Sequence, residues 1–168
     1  MIIREAQKKD IKRMAEIHVR TWECAYKGHM PDNYIKSYSI EKREKQWTKI
    51  LTSVTNKSKV YVAELNGQLV GFCSGGKSRD DDMKDSAEVY SIYVDQTNLH
   101  QGVGTKLLES LTTFFQKEGF KKAGLWVLDS NEQAKKFYKS RGWIPDGSEK
   151  SETIDGMLVE ELRYIINL

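Results

Sequence analysis

Asn66-Gly67 stands between two strand-like runs, residues 60–65 (VYVAEL) and 68–75 (QLVGFCSG). This dipeptide takes the positive φ angles that a two-residue hairpin turn requires. The chain is thereby committed to an antiparallel pair near its middle. A polar segment, 77–86, then leads to a third run, Ala87–Val94, dense in valine, isoleucine and tyrosine.

Beyond that run the period changes. Residues 103–117 carry Leu107, Leu108, Leu111, Phe114 and Phe115 at helical spacing and stop at Gly119. Lys122–Leu128 reads as a buried strand. Ser130, with Gln133 three residues on, fits the capping box of a helix that runs to about Arg141, with Gly142 at its end. Strands near 143–146 and 157–165 close the chain. Ahead of the hairpin, residues 1–5 read as a short strand. A helix from Asp10 then places Ile11, Met14, Ala15, His18, Trp22 and Ala25 on one face. Residues 28–30 with Pro31 break that helix, and 41–54 reads as a second, more polar one.

Hairpin strands followed by helical crossovers imply an α/β (α+β) fold, a mixed sheet with helices on its faces. At 168 residues the chain is about one domain long, so residues 1–168 are expected to form a single domain. Apolar residues at 39% and charged residues at 30% suit a packed core under a solvated surface. No apolar run approaches the ~20 residues of a membrane span, and the first residues lack a basic region followed by an apolar stretch. A cytoplasmic protein is the expectation. Net charge is only +3 and no basic tract is interleaved with aromatics, which argues against nucleic acid as a partner. Cys24 and Cys73 make neither a disulfide framework nor a metal cluster, and no metal is expected.

The most informative stretch is 93–108, YVDQTNLHQGVGTKLL, where a strand passes through a polar loop into Gly102-Val103-Gly104 at the start of a helix. Free backbone N–H groups and the helix dipole favour an anion there, and glycine permits close approach. A dinucleotide fingerprint would need a third glycine where Leu107 stands, and a P-loop would need Lys-Ser/Thr where Thr105-Lys106 stands. Both are excluded, leaving a phosphate loop or a simple turn. In the second stretch, 129–143 (DSNEQAKKFYKSRGW), Asn131, Ala134 and Tyr138 share a helix face, with small Ala134 allowing something to lie alongside. Read alone, Phe137 and Tyr138 are equally ordinary core aromatics.

Together these stretches resemble the GCN5-related N-acetyltransferase (GNAT) family over nearly the whole chain. The strand, loop and Gly102-Val103-Gly104 look like its acetyl-coenzyme A pyrophosphate motif. Asn131-x-x-Ala134-x-x-Phe137-Tyr138-x-x-x-Gly142-Trp143 is similar to its second motif, which usually ends in Gly-Phe. Trp22-x-x-x-Tyr26, Pro31 and Tyr34 resemble a bacterial branch of small amine acetyltransferases. Leu99 replaces the usual Gln or Arg and His100 a frequent glycine. Because backbone N–H groups hold most of the pyrophosphate, the change should weaken the site only modestly.

The resemblance implies a mostly antiparallel sheet of about seven strands with about four helices. Two central parallel strands, Ala87–Val94 and Lys122–Leu128, splay to admit acetyl-coenzyme A. It further implies cofactor contacts from Ile92, Tyr93, Val94, Leu99, His100, Gln101, Gly102, Val103, Gly104, Thr105, Asn131, Ala134, Phe137 and Tyr138, and acceptor contacts from Trp22, Tyr26 and Tyr34. The reaction needs the amine, with a free pKa near ~10.4, made neutral, and the departing thiolate, near ~8.5, protonated. Tyr138 is the expected acid and Glu88, acting through a water, the expected base. His18 reads as a buried helix-face residue, and Cys73 lacks a basic activator, so direct attack in a ternary complex is expected. Asp80-Asp81-Asp82 reads as a solvated loop that could draw in cations. Polyamines, amine antibiotics, amino-acid analogues, protein N-termini and lysine side chains all offer a suitable nitrogen, the small amines being favoured. A homodimer and a noncatalytic acyl-coenzyme A-binding module stay open as alternatives.

Overall fold

The structure is a computed structural model that describes residues 1–28, 32–53, 57–154 and 156–168, with only the backbone described at Ala25 and Tyr26. Its strands are β1 (Ile2–Glu5), β2 (Ser58–Leu65), β3 (Gln68–Lys77), β4 (Ala87–Val94), β5 (Lys122–Leu128), β6 (Ile144–Ile154) and β7 (Met157–Asn167). Its helices are α1 (Ile11–Tyr26), α2 (Asp32–Lys36), α3 (Ile40–Thr52), α4 (Val103–Lys117) and α5 (Glu132–Lys139). One sheet orders the strands β1-β2-β3-β4-β5-β7-β6, antiparallel throughout except between β4 and β5. No helix among the described residues is long and apolar enough to cross a membrane.

The hairpin forms as its turn dictates, with Asn66 at φ 52° and Gly67 at φ 78°. The expected mixed, mostly antiparallel seven-stranded sheet is present, with five α-helices among the described residues where about four are expected. The extra one, α2, is a single short turn whose periodicity is too brief to read from sequence. The break expected at residues 28–31 is described only at Gly28, which has φ 81°; His29, Met30 and Pro31 lie outside the described residues, as does Val54, the expected end of α3.

Two sequence expectations need correction. Asn131, not Ser130, caps α5, its side chain accepting from the Ala134 N–H at 3.0 Å, so the Ser130–Gln133 capping box does not form. β6 runs to Ile154 instead of stopping at Asp146. Its outer half is exposed and polar, so backbone pairing with β7 sustains it without an alternating apolar pattern.

The sheet divides the core in two. Leu107, Leu111 and Phe115 of α4 pack with Ala87, Val89, Leu125, Val127, Trp143 and Tyr164 on one face. Met14 and Ile17 of α1 and Trp47 of α3 pack with Val62 and Phe72 on the other. Each buried leucine, isoleucine, valine, phenylalanine or methionine among them contributes about 1.5–3 kcal/mol through burial. α4 lies close against β3 because Gly75 leaves room. A Cβ there would come within 2.7 Å of the Phe115 ring and 2.8 Å of the Glu88 carbonyl oxygen.

Candidate active site

β4 and β5 pair only at Ala87↔Ala123 and Glu88↔Gly124. Past these two pairs the strands diverge, while β4 stays laddered to β3 as far as Val94. One backbone edge of β4 therefore faces a gap at Ile92, Tyr93 and Val94. Ile92 and Val94 turn their side chains towards α4. Tyr93 turns the other way, stacked on His18 at 4.4 Å between ring centroids.

The gap leads to the N-terminus of α4. Gly102, at φ 78°, is the residue before the helix, and His100 is also left-handed at φ 61°. No backbone N–H of residues 100–105 donates to another backbone group among the described residues. His100, Gln101, Gly102, Val103, Gly104 and Thr105 thus present a cluster of open donors at the positive end of a 15-residue helix, while the N–H of Leu99, at the start of the loop, bonds the Gln96 carbonyl. This cradle suits a pyrophosphate, and the open edge of β4 suits an extended amide-bearing arm. The acyl-coenzyme A site that the sequence implies therefore fits the residues present.

Several residues that sequence reading did not single out hold the loop in place. Asp95 accepts from the Thr97 N–H and hydroxyl and pairs with Arg13 of α1 at 2.5 Å. Burial works to raise the Asp95 carboxyl, yet those hydrogen bonds and the Arg13 charge hold it below its ordinary range. Arg141 donates to the Thr105 hydroxyl at 2.8 Å and lies 5.4 Å from the centre of the Phe137 ring, which puts a cation beside the loop. No spacing rule marks Arg141, since its role arises only when α4 and α5 meet.

On α5, Ala134, Phe137 and Tyr138 turn towards the α4 side of the sheet. Tyr138 is buried, edge-on to Phe137 at 5.2 Å and to Trp143 at 6.2 Å. Asn131 caps the helix.

Glu88 is 2% exposed, and Arg79 occupies both its oxygens. The Arg79 backbone N–H reaches Oε2 at 2.9 Å, Nε lies 3.1 and 3.2 Å from the two oxygens, and Nη2 donates to Oε1. The acidic loop is similarly engaged. Asp80 accepts from Trp126 Nε1 and Lys150 at 2.8 Å each, and Asp82 from Arg163 at 2.8 and 2.5 Å. These two carboxylates tie the loop to β5, β6 and β7, which corrects the expectation of a solvated acidic loop at Asp80, the one of the three that is largely buried; Asp81 and Asp82 are exposed to solvent as expected.

The aromatic residues expected to meet the acceptor gather at the far end of β5. Trp22 stacks on Tyr38 at 4.4 Å with their planes 10° apart, and Tyr34 lies edge-on to Tyr38 at 5.6 Å. Trp22 and Tyr34 pack against Ile35, Leu128 and Val159. Tyr38, which joins them, was not apparent in the sequence because its helical phase is lost between α2 and α3. The Tyr26 side chain lies outside the described residues. His18 is buried and accepts from Trp47 Nε1 at 3.1 Å. Burial, helped by the Arg43 charge, pushes its pKa down to about 3, so it stays neutral. Burial also pushes the Cys73 thiol up, and the thiol donates to the Leu107 carbonyl, which makes it a packing residue.

A single splayed parallel pair beside a glycine-opened helix defines an acyl-group transferase site. Residues 11–143 match the model of the acetyltransferase (GNAT) family, and the chain belongs to that family. It is 30% identical over 129 residues to the uncharacterized N-acetyltransferase YuaI of Bacillus subtilis, covering 77% of this chain and 72% of that one. It is 25% identical over 158 residues to a spermidine N(1)-acetyltransferase of Thermoplasma acidophilum, covering 90% and 93%. The crystal structure of the PaiA N-acetyltransferase of Thermoplasma acidophilum in complex with coenzyme A superposes with a TM-score of 0.75 at 22% identity, covering 99% of this chain and 98% of that chain.

Proposed function

We propose that residues 1–168 act as one N-acetyltransferase domain that moves an acetyl group from acetyl-coenzyme A to a small primary amine by direct attack. The observation that carries this reading is the gap between β4 and β5 ending at the open N–H cluster of residues 100–105. Bound there, acetyl-coenzyme A supplies an activated thioester. The residues around it have separate tasks. Residues 100–105 hold the phosphates through backbone donors, with Leu99 beside them, and Arg141 adds charge. Ile92, Tyr93 and Val94 offer main-chain groups to the pantetheine arm, and Ala134 and Phe137 line its other side. Tyr138 gives its phenolic proton to the departing sulfur.

Trp22 and Tyr34 form the acceptor wall in this reading, where aromatic faces favour a cation. Likeness to a spermidine N(1)-acetyltransferase supports a small amine. Glu88, the carboxylate expected to take the amine's proton, can do so only with Arg79 displaced, because protonating it would leave the guanidinium without its partner. Thiol release is measured on incubation with acetyl-coenzyme A and a panel of polyamines, amino acids, amine antibiotics and peptides. Small amines are expected to give release. Release with peptide N-termini alone would overturn the small-amine reading, and coenzyme A binding without release would make the chain a noncatalytic module.

A further inference from the structure

Among the described residues, carboxylates on the sheet face turned away from α4 include Glu88 on β4, Asp80 and Asp82 in the segment before it, Asp146 on β6 and Glu161 on β7. The register fixes Glu161 there. It pairs with Leu128 of β5, and Leu128 packs with Ile35, Val159, Trp22 and Tyr34, whereas Leu125 and Val127 point into the α4 core. Residues paired across antiparallel strands share a face. Glu161 therefore stands on the aromatic side, one strand spacing, about 5 Å, from the β5 border of the gap.

The others are taken, Glu88 by Arg79, Asp80 by Trp126 and Lys150, and Asp82 and Asp146 by Arg163. Glu161 has no hydrogen-bond or ion-pair partner among the described residues, although it is half-buried. The charged groups that act on it are Lys150 and Glu152 of β6 and Arg79 of the 78–86 segment, and Tyr34 of α2 lies in the neighbouring aromatic cluster. Lys150 is committed elsewhere, bonded to Asp80 and lying 3.8 Å above the Trp126 ring.

We propose that Glu161, rather than Glu88, receives the acceptor: its carboxylate holds the incoming ammonium and takes the first of its protons. The inference rests on the acetyl-transfer reading. Desolvation outweighs the neighbouring charges and raises the Glu161 carboxyl above its usual range, which brings it nearer to a working base. Tyr138 lies on the α4 side, so proton acceptor and proton donor flank the gap from opposite faces. The protons balance. The amine gives one to Glu161, which passes it to solvent. As the N–C bond forms and the C–S bond breaks, the nitrogen's second proton replaces the one Tyr138 has given to sulfur.

The test compares the full chain with Glu161→Gln and Glu161→Asp, using spermidine or whichever panel amine the wild type acetylates. At pH 7.5 Glu161→Gln should lower kcat/KM by about 10²–10⁴-fold, with unchanged coenzyme A affinity and melting temperature. The deficit should shrink as pH rises towards about 10.4, where the free amine is already neutral, a recovery that a packing role would not produce. Glu161→Asp keeps the charge and shortens the reach, and should lose about tenfold or more even if the Gln variant fails to fold. Wild-type kcat/KM in either variant overturns the assignment and leaves acetyl transfer standing. Absence of thiol release by the wild type with every amine and peptide overturns the transfer reading and this inference with it.

Discussion

Gly104 of α4 faces Phe137 of α5 so closely that a Cβ on Gly104 would lie 3.3 Å from the ring. The missing side chain lets the opening turn of one helix abut the other at the point where the gap meets the open N–H groups. Gly104→Val is therefore expected to push Phe137 aside and weaken coenzyme A binding by about tenfold or more, measured by calorimetry on folded protein. A second change, Phe137→Leu, should restore part of the loss. Full affinity in the valine variant would mean that the contact has no part in shaping the site.

Tyr138→Phe deletes one hydroxyl and keeps the ring against Phe137 and Trp143. Folding and coenzyme A affinity should persist while single-turnover acetyl transfer falls by about 10²–10⁴-fold. Wild-type transfer across the pH range would reduce Tyr138 to packing.

The buried Cys73 thiol, held towards its neutral form, and the exposed Cys24 are both expected to be dispensable for chemistry. Cys73→Ala and Cys24→Ser should retain transfer within about threefold, with a lower melting temperature for the Cys73 change only. Mass spectrometry with acetyl-coenzyme A alone should find no acetylated cysteine; an acetyl-cysteine that an amine discharges would point to a covalent route.

His18 couples stability to pH. Its folded pKa is depressed to about 3, whereas the unfolded imidazole titrates near 6.5. Between these values the unfolded chain binds the extra proton, so the His18 contribution is full above about pH 6.5 and is lost as pH falls towards about 3. The slope is at most about 1.4 kcal/mol per pH unit. Urea unfolding from pH 7 to 4 should show this dependence, and His18→Gln should flatten it. An identical slope in the variant would assign the effect to other groups.

The parts of the molecule set by short-range rules were readable from the sequence. Asn66-Gly67 fixes the hairpin, and the apolar spacing from Leu107 to Phe115 fixes α4 to its end residues. What escaped depends on where elements meet. Arg79 closes on Glu88, Arg141 on Thr105, and Asp80 on Trp126 and Lys150. Each of these pairs joins groups on different elements, and no local pattern distinguishes such a residue from a solvated charge. Glu161 escaped for a further reason. On an alternating strand its neighbour Glu160 is equally acidic, so only the register with Leu128 tells which of the two faces the aromatic cluster.

Two residue pairs are all that clasp β4 to β5. In mechanical terms the sheet is two half-sheets, β1-β2-β3-β4 and β5-β7-β6, pinned at one end of a shared seam. A ligand laddered along that seam would act as a rivet and make the halves one body. Its binding energy would then appear as cohesion of the whole chain, about 2.7 kcal/mol at a ligand concentration one hundred times Kd. Slowed amide exchange would follow in strands on both sides of the seam, including those that never touch the ligand.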